Sequence, residues 1–65
     1  MVTVFIEVTG ERLEFRRLNT VTQLLGKLGV RNAEVLVIRD GELLTPDRAI
    51  GHTGEIRVRH VVSRG

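Results

Sequence analysis

Few residues in this 65-residue chain have types that could do chemistry, and their spacing narrows the choice. The two histidines stand apart: His52 lies in a Gly-rich polar stretch and His60 among arginines. Neither has partners at the spacing of a zinc site, so both are expected on the surface and no metal site is expected. The absence of cysteine removes thiol nucleophiles, thiolate ligands and disulfides together. Asp40, Glu42, Asp47 and Glu55 fall at turn and solvent-face positions rather than as an acid–base pair. Gly51 and Gly54 precede no helix start, so they make no phosphate cradle. No catalytic residue is expected. What remains is the small-basic-small tail Ser63-Arg64-Gly65, beyond the last strand-like segment.

The charge balance is mildly basic, +2, and Lys27 is the only lysine. Acids are interspersed with bases until Glu55; from Ile56 onward Arg57, Arg59 and Arg64 stand without them. That run is read as a solvated strand face rather than a nucleic-acid surface, because the two aromatics, Phe5 and Phe15, lie at the other end and give no stacking platform. No apolar run approaches the ~20 residues that span a bilayer, and the chain opens on strand-like alternation rather than a charged-then-apolar leader. The expectation is a soluble, cytoplasmic, monomeric protein that binds neither nucleic acid nor membrane.

A chain this short buries only about 60% of its unfolded surface, so its core is one thin layer between two elements. Enclosed catalytic pockets need more walls than that. Val2, Val4, Ile6 and Val8 alternate with Thr3, Phe5 and Glu7 and predict a half-buried strand. Thr9-Gly10-Glu11 predicts the turn, and Leu13 and Phe15 alternate on the returning strand. Thr20 and Gln23 form a Thr-x-x-Gln capping box ahead of the stripe Val21, Leu24, Leu25, Leu28, and Gly29 stands where a left-handed C-cap belongs. Val35-Leu36-Val37-Ile38 predicts a central strand, Asp40-Gly41 a tight turn and Glu42-Leu43-Leu44 a short partner strand. Thr45–Arg48 reads as a turn, Ala49 and Ile50 as core edge, and Gly51–Gly54 as a loop. The last strand runs from Glu55 to Val62, with Ile56, Val58 and Val62 on one side.

The order ββαββ(β) predicts an α+β fold: a mixed four- to five-stranded sheet with one helix packed across it, the first and last strands parallel and central. That is the ubiquitin-like β-grasp. Residues 1–62 form the domain and 63–65 a flexible tail.

With the elements in that order, the chain resembles the ThiS, MoaD and ubiquitin-related-modifier family of sulfur carriers, including small archaeal modifier proteins. The resemblance covers nearly the whole chain. It rests on the hairpin around Gly10, the capped helix Thr20–Gly29, the segment Val35–Glu42, the Gly54-Glu55 pair that opens the last strand, and the glycine after Val61-Val62-Ser63-Arg64. It implies that the Gly65 carboxylate is the reactive group. A ubiquitin-activating-type adenylating enzyme would use ATP and Mg²⁺ to adenylate it. A sulfur donor, a sulfurtransferase or desulfurase, would then make a thiocarboxylate for a sulfur-accepting synthase, or the activated end would be joined to a target-protein lysine. The chain itself would bind no cofactor.

The residues fit that chemistry. A carboxylate is a poor acyl donor until a leaving group is attached, and this chain has no phosphate loop of its own. Glycine has no Cβ to clash in a partner's narrow channel, and Ser63 is small for the same reason. Arg64 departs from the family's usual Gly-Gly ending. Three readings stand: a partner channel that accepts Arg64, a fold that has lost conjugation, or a native terminus elsewhere. The first is favoured. A docking patch is expected on the sheet face away from the helix, from Phe5, Val61 and either Leu36 or Val37, flanked by Arg57 and Arg59. The alternative is a non-covalent β-grasp interaction module that undergoes no C-terminal activation.

Overall fold

A computed structural model describes residues 1–61. Strands β1 (Val2–Ile6), β2 (Glu11–Phe15) and β3 (Leu18–Thr20) precede helix α1 (Val21–Leu28). A 3₁₀ turn at Asn32–Glu34 leads to β4 (Val35–Arg39), β5 (Glu42–Leu44), β6 (Ala49–Gly51) and β7 (Gly54–His60). Five strands form one mixed sheet in the order β2-β1-β7-β4-β5, and β3 and β6 form a separate ribbon. The class is α+β with one α-helix among the described residues.

The first and last strands are parallel and adjacent, with Val4 opposite Ile56 and Ile6 opposite Val58. β7 also pairs antiparallel with β4, so its backbone is bonded on both sides. Period-two alternation sends Val2, Val4, Ile6, Val35, Val37, Ile56 and Val58 to one face, where all are buried. Val21, Leu24 and Leu25 of α1 meet them there, completed by Leu18, Leu44 and Ile50. Val8 was expected to extend this row. It lies beyond the end of β1 in the turn to β2 and is 64% exposed.

Both ends of α1 follow from local chemistry. The Thr20 hydroxyl accepts from the Gln23 amide at 3.3 Å, as the capping box predicts. The Gln23 side chain reaches back one residue further than expected and accepts from the Asn19 amide at 2.6 Å. Gly29 adopts φ 73°, and Val30 N–H donates to the Leu25 carbonyl at 3.1 Å, closing the helix with a left-handed cap. The other first-turn amides are satisfied from afar: Val21 donates to the Arg48 carbonyl at 3.1 Å and Thr22 to the Pro46 carbonyl at 3.0 Å. The stretch 45–51 is therefore a strap that holds the helix start. Its residues 49–51 pair with β3 instead of forming the expected core edge and loop, and only Ile50 turns inward, while Ala49 is exposed.

At the far hairpin, Asp40 (φ 53°) and Gly41 (φ 76°) both take left-handed backbone, and Arg39 faces Glu42 across a two-residue turn. Among the described residues no helix is long and apolar enough to cross a membrane.

Candidate functional site on the open sheet face

Among the described residues no element covers the sheet face away from α1. Strand register assembles a row across all five strands there. Arg12 of β2 faces Phe5 of β1, Phe5 faces Arg57 of β7, Arg57 faces Ile38 of β4, and Ile38 faces Leu43 of β5. The Phe5 ring has a guanidinium on each side: the Arg12 carbon lies 6.0 Å from its centre and the Arg57 carbon 5.6 Å. Both distances suit attraction between cation and ring face. A shallow groove of about 460 Å³ runs along this row, lined by Phe5, Arg12, Ile38, Asp40, Arg57 and Arg59 among others.

One carboxylate organises the arginines. Glu7 Oε2 accepts from Arg57 at 2.9 Å, and Glu7 Oε1 accepts from Arg59 Nε at 2.9 Å. The Arg59 hydrogen bond, helped by that of Arg57, holds the Glu7 carboxyl below the usual carboxylate range against a smaller desolvation cost. The same contact raises the Arg59 guanidinium. These are exposed ion pairs, so they orient side chains more than they stabilise the fold.

Of the residues expected in the patch, the structure brings Phe5, Arg57 and Arg59 together. Leu36 joins them opposite Arg59, whereas Val37 turns inward and is buried. Val61 is 38% exposed but follows the end of β7, where its N–H donates to the Glu34 carbonyl, and it does not line the groove. Arg12, Ile38 and Leu43 were not foreseen. Their own strands alternate legibly, but only the register between strands puts them in one row. Ser63, Arg64, Gly65 and Val62 lie outside the described residues.

His60 differs from expectation. It turns to the core side of β7, opposite Val35, and its Nδ1 is buried with no hydrogen-bond partner among the described residues. It lines a second hollow of about 190 Å³ with Ile6, Val8, Leu28, Val30 and Val58. His52 is exposed, as expected. Among the described residues no group of three or more His, Cys, Asp or Glu is placed to hold a metal ion.

No protein-family model matches the sequence, and no curated protein matches it.

Proposed function

We propose that this chain is a ubiquitin-like β-grasp carrier of the sulfur-carrier and protein-modifier kind, activated at the Gly65 carboxylate. The observation that carries the reading is the strand order β2-β1-β7-β4-β5 with β1 and β7 parallel at its centre and the helix on one face. β7 is bonded to β1 on one side and β4 on the other, and the proposed reactive end, Ser63-Arg64-Gly65, follows this strand in sequence.

On this reading a partner adenylating enzyme with ATP and Mg²⁺ supplies the leaving group. Attack of the carboxylate on the α-phosphorus releases pyrophosphate. A lysine amine then displaces AMP to form an amide, or the donor's persulfide displaces it and a thiol reductant cleaves the resulting acyl disulfide to leave the thiocarboxylate. The groove around Phe5, Arg57 and Arg59 is the proposed docking face for that enzyme, and the cytoplasm is the proposed compartment. The second reading, a non-covalent β-grasp interaction module, draws on Arg64 and on the same open face.

Intact mass spectrometry after incubation with the adenylating enzyme, ATP, Mg²⁺ and a sulfur source separates the two. The carrier gains the mass difference of one oxygen replaced by sulfur. An unchanged mass, with the enzyme active on another carrier, leaves only the interaction module.

A further inference from the structure

β2 forms one edge of the five-stranded sheet, and its free side is complementary to itself. We propose that two copies of this chain pair antiparallel through β2 about a twofold axis at Leu13, joining their sheets into one. The proposal is independent of the tail chemistry.

The backbone polarity of β2 follows from its neighbours. Glu7 N–H donates to the Val58 carbonyl at 3.0 Å, so odd-numbered residues along β1 aim their backbone groups at β7 and even-numbered ones at β2. In β2, Phe15, Leu13 and Glu11 face Val2, Val4 and Ile6 and bond inward. Arg12 and Glu14 therefore aim their N–H and C=O groups away from the sheet. An antiparallel partner bonded to those groups has three central registers. Centring on Arg12 sets arginine against arginine, and centring on Glu14 sets glutamate against glutamate. Centring on Leu13 sets Arg12 of each copy opposite Glu14 of the other, with both residues in hydrogen-bonded pairs. Opposite charges directly across strands are favourable and like charges unfavourable, which selects that register.

The rest of the edge agrees. Leu13 then meets its symmetry mate in a non-hydrogen-bonded pair, where side chains approach closest. Leu13 and Phe15 pack on the core yet stay half-exposed, so apolar surface remains at the edge to be covered. Glu11–Phe15 contains no proline and no lysine, which are common guards of a free edge, and its charges attract a second copy rather than repel it. The contact is small by the standard of stable interfaces, so the dimer is concentration-dependent.

Sedimentation equilibrium of the full chain over roughly 10 μM to 1 mM reads the association. The wild type shifts toward twice the monomer mass across that range. Arg12→Glu and Glu14→Arg each place like charges across the axis and weaken association about tenfold. The doubly swapped chain recovers it, and so does an equimolar mixture of the two single variants. Glu14→Pro removes an outward N–H at an edge position that tolerates proline, and abolishes the dimer while circular dichroism stays native. If that variant does not fold, the charge swap alone decides. A monomer at every concentration overturns the proposal, and so does an association that the single reversals leave unchanged or that the swap and the mixture fail to restore.

Discussion

Phe5 and Arg57 are register partners across the parallel strand pair, and the Arg57 guanidinium carbon sits 5.6 Å from the centre of the Phe5 ring. The same guanidinium donates to Glu7 at 2.9 Å, so one arginine ties an aromatic ring to a carboxylate on a face that no element covers among the described residues. Residues held this way keep their rotamers before any partner arrives, which lowers the ordering cost of binding.

Replacing Phe5 by leucine keeps an apolar side chain and removes the ring between Arg12 and Arg57. Each exposed cation–ring contact is worth about 0.5–1 kcal/mol, so stability falls by roughly 1–2 kcal/mol in urea unfolding. If the proposed docking of an adenylating enzyme on this face holds, Phe5→Glu and Arg57→Glu should each weaken that binding by at least about tenfold, as for residues central to an interface. Binding that both substitutions leave untouched removes this face from the docking role.

Glu7 gives stability a pH dependence of known sign. Its carboxyl titrates lower in the folded chain than in the unfolded one, chiefly through Arg59. The unfolded state thus binds the proton more readily, and stability falls as pH drops through the lowered Glu7 range. Glu7→Gln removes that dependence. Thermal melts from neutral to acid pH should show the wild type losing its advantage over the variant on the acid side, and parallel curves would contradict it.

The local signals in the sequence were sufficient for most elements. The alternation of Val2, Val4 and Ile6, the Thr20 cap, the Gly29 stop and the Asp40-Gly41 turn each involve residues only a few positions apart. The 45–51 strap was not legible, because its partners are the α1 amides and β3, more than twenty residues earlier in the chain. Ala49-Ile50-Gly51 is too short to show a period. The open-face row failed for a related reason: Ile38 and Leu43 become site residues only once β7 is known to lie between β1 and β4. His60 was misjudged because Arg57 and Arg59 just before it suggest solvent, whereas alternation from Val58 puts it on the core side.

The two helix ends offer a direct check on how α1 is held. Thr20→Ala deletes the hydroxyl that accepts from Gln23 and should cost about 1 kcal/mol. Gly29→Ala forces a Cβ into φ 73° backbone and should cost a comparable amount, although open space surrounds the site. Chemical denaturation of the two variants and of their combination tests this. The costs should add within about 0.5 kcal/mol, since the caps lie at opposite ends of the helix.

Arg64 supplies the sharpest test of the proposed chemistry. If the partner's channel is shaped for this chain, an acidic or polar lining receives the guanidinium, and a charged hydrogen bond of that kind is worth about 1.5–3 kcal/mol. Arg64→Gly, which recreates a Gly-Gly ending, should then lower kcat/KM for adenylation by roughly tenfold or more, because 1.4 kcal/mol corresponds to one decade. A channel built around two glycines predicts the reverse, a gain on removing a long side chain from a narrow passage. Deleting Gly65 should abolish activation on either account while leaving the thermal melt unchanged, since among the described residues the last one in the buried core is Val58. A chain whose adenylation is indifferent to both changes is not activated at this end.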